Sequence, residues 1–172
     1  MPPIHFPRRS YAMHKTKNDL PLKKRTEVTK LLNERLADLI DLKLQTKQAH
    51  WNVRGPHFIA LHELFDKVAS AVDEHVDVVA ERIGALGGIA EGTLKAVSDR
   101  TSLSAYKLDI SSGRDHVEAL SSALAAAGKE VRAAIDKADS IGDADTADIF
   151  TAVSRTLDHY LWFVEAHLQA DK

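Results

Sequence analysis

Residues 50–81 read HWNVRGPHFIALHELFDKVASAVDEHVDVVAE, and the fold turns on this stretch. From Phe58 onward, apolar residues fall at Phe58, Leu61, Phe65, Val68, Val72, Val76, Val79, Ile83 and Leu86, in steps of three and four. Such steps mark a helix that buries one stripe, and at about 100° per residue this stripe spans roughly 80° of the circumference. His62, Asp66, Asp73, Asp77 and Glu81 form a second stripe beside it, spread over roughly 100°. A solvated face normally mixes Lys and Arg with its acids. This one holds neither.

Distance along the helix then separates the second stripe into pairs. His62 and Asp66 are four residues apart and therefore neighbours on one face, as are Asp77 and Glu81. Between Asp66 and Asp77 lie about three turns, or roughly 16 Å. One metal ion cannot touch both pairs on the same straight helix. If all four serve a common site, the second pair comes from another copy of the helix running antiparallel. A two-fold axis does this and makes two equivalent sites, because its interface is self-complementary. The expectation is a metal site shared between subunits.

The rest of the chain is consistent with a helical protein of ordinary size. Its 172 residues make one domain the default, and 44% hydrophobic with 28% charged residues is the composition of a soluble globular protein. No apolar run approaches the ~20 residues needed to cross a bilayer. Nor does the N-terminus carry the apolar stretch of a secretory signal, so a cytoplasmic location is expected. With no cysteine present, any metal must be held by His, Asp and Glu.

The net charge of −2 hides an asymmetry. Residues 1–25 carry Arg8, Arg9, Lys15, Lys17, Lys23, Lys24 and Arg25 against the single acid Asp19, leaving the remaining residues acidic. This segment opens MPPIHFP and has no helical period, so residues 1–24 are expected to form an extended or mobile basic arm on a domain of residues 25–172. Such an arm suits phosphate neutralisation on DNA without sequence readout. A solubilising tail, or one docked on a neighbouring subunit, would carry the same charge.

Four long helices are expected. The first runs from near Lys24 to about Asn52 with Val28, Leu32, Leu36 and Leu39 inward, and stops at Val53-Arg54-Gly55-Pro56. His50 and Trp51 thus sit in its last turn, next to the start of the second helix. A His there is more often a cap or core residue than a ligand, and Trp51 is core by default. The second helix ends near Gly87-Gly88. Residues 87–112 are too long for a tight turn and read as a crossover containing a short helix, with an apolar pattern near Leu103–Leu108. The third helix places Val117, Leu120, Leu124, Ala127 and Val131 inward, and a break follows at Ser140-Ile141-Gly142. The fourth has Ile149, Val153, Leu157, Tyr160, Val164 and Leu168 as its stripe. Four long helices with one long central crossover describe an all-α, ferritin-like four-helix bundle. Buried di-iron sites of such bundles use Glu-x-x-His motifs, yet none of the nine histidines here has a Glu three residues before it. The missing motif agrees with the distance argument for a shared site.

KQAHWNVRGPHFIALHELFD, continuing to DEHVDVVAERIGALGG, resembles the signature of the Dps family, the DNA-protecting mini-ferritins. DADTADIFTAVSRTLDHYLWFVEAHL is similar to that family's last helix, and the likeness covers roughly residues 25–168. The resemblance implies a hollow shell of twelve identical bundles with ferroxidase centres at the two-fold interfaces. His50, His62 and Asp66 would come from one subunit, and Asp77 and Glu81 from its mate. It further implies oxidation of Fe(II), preferentially by hydrogen peroxide rather than dioxygen, storage of the ferric product as mineral, protection of DNA, and a nucleoid-associated place in the cytoplasm. Imidazole and carboxylate ligands suit iron, although they also accept Zn or Mn.

Weaker implications concern the surroundings. Asp143, Asp145 and Asp148 lie where family shells admit iron through acidic pores, but capping of the last helix explains acids there equally well. Trp51 and Trp162 resemble aromatic positions near the site, where they would pack or donate electrons. Asp73 and His75 stand in or near the ligand stripe, where they would orient the ligands or hold a secondary metal. The competing reading is a DNA-compacting architectural protein whose interface metals are structural.

Overall fold

The computed structural model describes residues 12–169. Five helices follow in order: α1 (Leu22–Asn52), α2 (Phe58–Ala85), α3 (Leu94–Arg100), α4 (Gly113–Ile141) and α5 (Ala144–Glu165). The four long ones form an all-α, ferritin-like bundle in which α1 packs on α2 and α4, and α5 packs on α4 and α2. Short α3 lies within the crossover and rests on α1.

Local chemistry sets the ends of these helices. After α1, Val53 adopts an extended backbone and Gly55 has a φ of 115°, which turns the chain back into α2. Ser112 caps α4 by accepting from the Asp115 amide. At its other end Gly142 takes the left-handed conformation, with φ 86°, that closes a helix and favours glycine. Asp143 then caps α5, accepting from the Thr146 amide at 3.2 Å.

The core is the inward stripe of each long helix. Leu32, Leu36, Leu39 and Leu42 of α1 meet Leu61, Phe65, Val68, Val72, Val79 and Ile83 of α2, Leu120, Leu124 and Val131 of α4, and Phe150, Val153, Leu157 and Val164 of α5. Burying each large side chain contributes about 1.5–3 kcal/mol. The stripes read from sequence hold in their middles and fray at their ends. Phe58 is exposed at the mouth of α2. In α5 the fully buried aromatic is Phe150, with Ile149 only half-buried beside it.

A row of α1 side chains holds the crossover in place. Arg25 donates to the Leu86 carbonyl at 2.8 Å, and Asn33 donates to Ile89 and accepts from the Glu91 amide. Asp38 accepts from the Ser102 amide at 2.7 Å, Asp41 from the Thr101 hydroxyl, and Gln45 donates to the Ser104 carbonyl. A long connection with little structure of its own thereby satisfies its main-chain groups, as buried backbone must. The short helix expected in the crossover is α3, at residues 94–100, and the apolar pattern near Leu103–Leu108 after it is non-helical. Leu103 is nonetheless buried, while Leu108 stays exposed.

The boundary between the arm and the first helix falls earlier than expected. Helix α1 begins at Leu22, so Lys23, Lys24 and Arg25 belong to the bundle. Lys23 and Lys24 are exposed on the first turn. Arg25 is buried, with its guanidinium on the carbonyls of Leu20 and Leu86, and is not available to DNA. Lys15 and Lys17 are exposed on an irregular segment. That segment is tied to the body where the His14 amide donates to the Gly87 carbonyl at 2.7 Å. Gly87 is required there: its φ is +85°, and a Cβ would stand 2.6 Å from the His14 carbonyl oxygen. Arg8 and Arg9 lie outside the described residues.

Candidate metal centre

The turn between α1 and α2 brings His50 against His62. Their rings stack with centroids 3.7 Å apart and planes 23° from parallel. Each ring is fixed by the other's main chain: Nδ1 of His50 lies 2.8 Å from the His62 carbonyl oxygen, and Nδ1 of His62 lies 2.9 Å from that of His50. A carbonyl oxygen only accepts, so each Nδ1 carries a proton and donates it. In the neutral rings the lone pair is therefore on Nε2, the nitrogen left free for a metal. A hydrogen bond from the other ring nitrogen is how proteins orient a ligating His.

Asp66 follows one turn after His62 on α2. Its Oδ1 pairs with Nζ of Lys47 at 2.7 Å, and the side chain is about half exposed, at 53%. The hydrogen bond from Lys47 is the main reason its carboxyl lies below the usual range, assisted by the charge of Lys47 and of the two histidines. Asp66 therefore stays ionised to lower pH than an ordinary aspartate. Lys47 also lies over the ring of Trp51, 5.7 Å from the centroid, and Trp51 is 65% exposed rather than packed in the core.

Lys43, one turn before Lys47, pairs with Asp73 at 2.6 Å. The acidic stripe of α2 is thus partly neutralised by lysines of α1. Sequence reading missed these partners because the cations come from the neighbouring helix. The signal available was Lys43 and Lys47 at a four-residue spacing, facing a helix that runs antiparallel. His75 turns to the other side of α2, where Nε2 lies 2.8 Å from the Thr156 hydroxyl of α5. Its burial lowers its pKa from the ordinary value.

Asp77 and Glu81 are exposed on the same helix, further along. Among the described residues, neither side chain makes an ion pair or hydrogen bond. Nor does any group of three or more His, Asp and Glu side chains there converge to hold a metal within one chain. The single chain thus offers two stacked imidazoles, with Asp66 one helical turn from His62 and paired to Lys47 rather than converged with them, and two carboxylates unpaired among the described residues further along α2.

At the start of α5 the acids have different tasks. Asp143 is buried, 3% exposed, and its Oδ1 takes a 2.6 Å ion pair from Arg82 while the same carboxylate caps α5. It is a capping residue whose carboxylate is occupied within the chain by Arg82 and by the first turn of α5. Asp145 is 81% exposed, with a looser contact of 3.5 Å to Arg82, and Asp148 is exposed as well. Trp162 is exposed in an aromatic group with His159 and Phe163.

Comparison with known proteins bears on this arrangement. The family described as Ferritin-like domain matches residues 29–172. A relative from Agrobacterium fabrum, named DNA protection during starvation protein, is 54% identical over 156 residues, covering 91% of this chain and 96% of that protein. The structure of Mycobacterium smegmatis Dps superimposes with a TM-score of 0.87 at 33% identity, covering 92% of this chain and 90% of that one. DpsC from Streptomyces coelicolor superimposes with a TM-score of 0.90 at 29% identity, over 97% and 98% of the two chains. No helix among the described residues is long and apolar enough to cross a membrane.

Proposed function

Because this chain belongs to the Dps family of ferritin-like proteins, we propose that it oxidises Fe(II) with hydrogen peroxide at centres shared by two copies, and stores the ferric product. One observation carries the reading. His50 and His62 are locked with Nε2 free beside Asp66, yet the set is incomplete, while Asp77 and Glu81 stand unpaired roughly 16 Å further along the helix. An antiparallel second copy would complete the set and create a twin site.

Two nitrogen and three carboxylate donors suit Fe(II) and stabilise Fe(III), leaving positions for the oxidant. Zn or Mn would fit the same donors. Lys47 holds Asp66 ionised before metal arrives and yields it to the incoming cation. Peroxide that takes two electrons from two irons releases no hydroxyl radical, and that chemistry protects DNA whether or not the protein touches it. The assembly proposed is the twelve-subunit shell that the resemblance implies, with Asp145 and Asp148, exposed at the start of α5, as its cation funnel. Lys15, Lys17, Lys23 and Lys24, with Arg8 and Arg9, remain the residues for nonspecific DNA contact.

Anaerobic Fe(II) loading followed by a stoichiometric peroxide pulse tests the main reading. Oxidation much faster than for free iron is expected, with the iron retained on a large assembly. Oxidation no faster than in protein-free buffer, on an intact assembly, would move the function to a DNA-compacting or other-metal role. For the arm, deleting residues 2–20 is expected to weaken a salt-sensitive mobility shift of duplex DNA. Undiminished binding by the shortened chain would refute that part.

A further inference from the structure

Tyr106 of the crossover and His116 of α4 form a hydrogen bond of 2.8 Å between the phenol oxygen and Nδ1. His116 is buried, 1% exposed, and Tyr106 is half-buried. Nε2 of His116 has no partner with good hydrogen-bond geometry, but the main-chain carbonyls of Asn52 and Ile110 are near enough to favour a proton on the ring. If Nδ1 held that proton, the phenol hydrogen would lack an acceptor among the described residues. The satisfied arrangement places the ring proton on Nε2 and lets the phenol donate to the Nδ1 lone pair. It exists only while the imidazole is neutral.

The second half of the crossover depends on this contact. Before it, Leu103 is buried and Gln45 holds the Ser104 carbonyl; after it, the Arg54 amide donates to the Ser111 carbonyl at 2.9 Å. From Ala105 to Ile110, the Tyr106 phenol makes the one hydrogen bond of good geometry among the described residues. Most side chains of residues 104–111 are exposed, so little burial opposes a local opening there. A cleft of about 410 Å³ lies between this segment and α4, lined by Tyr106, Ile110, Glu118 and Ala123.

We propose that Tyr106 and His116 form an acid-released clasp: protonation of His116 frees residues 104–111 from α4 while the four-helix bundle stays folded. The clasp is independent of the iron-oxidation reading above. An imidazolium carries hydrogens on both nitrogens, so Nδ1 no longer accepts from the phenol. If the phenol oxygen accepts instead, its own hydrogen lacks an acceptor among the described residues. The charge is also badly placed, buried and in the first turn of α4, where the helix dipole disfavours a cation. The crossover faces His116 with Tyr106 and the Ile110 carbonyl, α1 with the Asn52 carbonyl, and α4 itself with Asp115. Among the described residues no charged side chain of α1, α2 or α5 acts on it. Asp115 and the two carbonyls favour the cation, but burial outweighs them and lowers the imidazole pKa from its ordinary value. The phenol, raised by its own burial, keeps its proton throughout. The open segment therefore binds a proton more readily than the closed one. Closure is fully favoured above the ordinary imidazole value of about 6.5 and weakens as pH falls below it. A closed form that bound no proton would open up to about 30-fold more often at pH 5 than at neutral pH.

Hydrogen–deuterium exchange of the full chain tests this, read by mass spectrometry at about pH 7.5 and about pH 5 and corrected for intrinsic exchange. In the parent, residues 104–111 are expected to lose protection by on the order of tenfold at the lower pH. The middles of α2 and α4 should keep theirs. His116→Asn places an amide oxygen where Nδ1 stands, so the phenol keeps an acceptor that does not titrate. That variant is expected to hold the segment equally at both pH values. Tyr106→Phe removes only the hydroxyl, and its segment should already be less protected than the parent's at about pH 7.5. An unchanged parent segment, a fall that persists in His116→Asn, or a loss spread over α2 and α4 would overturn the clasp. If His116→Asn does not fold, Tyr106→Phe decides, and protection equal to the parent's at about pH 7.5 would overturn it.

Discussion

Replacing Asp77 by Asn and Glu81 by Gln together is expected to slow peroxide-driven Fe(II) oxidation by about 100-fold or more, since even groups that merely orient metal ligands cost 10- to 100-fold. The substitutions keep side-chain volume and remove charge, so the shell should assemble normally. Both residues are exposed and unpaired among the described residues, and no intrachain ion pair is lost with them. On the shared-site proposal, what is lost is the anionic half of a site whose other half, His50, His62 and Asp66, comes from the second copy. Stopped-flow ferric absorbance with light scattering of the assembly reads both quantities. Unchanged kinetics on an intact shell would remove Asp77 and Glu81 from the centre.

The second large effect concerns the scaffold. Phe65 is fully buried in the core and precedes Asp66 on α2. Phe65→Ala is expected to cost about 3–5 kcal/mol, the lost transfer energy plus the cavity left behind. For a chain of this length that lowers the unfolding midpoint by on the order of 10 °C, read by circular dichroism on heating. Phe58→Ala, in the first turn of the same helix but 40% exposed, should change the midpoint far less. Equal effects of the two would mean that the apolar stripe does not carry the stability of α2.

These effects sit where the sequence was easiest to read. The long helices and the break at Val53–Pro56 follow from apolar periodicity and from Gly and Pro, which are local signals. The pairing of His62 with Asp66, and of Asp77 with Glu81, follows from helical geometry alone. Stacking of His50 on His62 depends on how two helices meet across a turn, which periodicity does not encode. The lysines that neutralise Asp66 and Asp73 were hidden for the same reason, since they belong to another helix. Arg25 shows the converse: in sequence it continues a basic run, but in the fold it is spent on the Leu20 and Leu86 carbonyls. Asp143 likewise reads as one of three acids, yet it is the one that Arg82 and the cap of α5 consume. The crossover gave the poorest signal because its position is set by polar side chains of α1 acting over long sequence separations.

The shared site is tested most directly by mixing two inactive variants. One carries His62→Ala and Asp66→Ala, and the other carries Asp77→Asn and Glu81→Gln. If the subunits pair at random in co-assembled shells, half of the two-fold pairs are mixed, and each mixed pair holds one intact and one doubly broken site. Symmetry thus predicts recovery of about a quarter of the parent's fast iron oxidation. No recovery in shells shown to contain both variants would contradict a centre built from two copies.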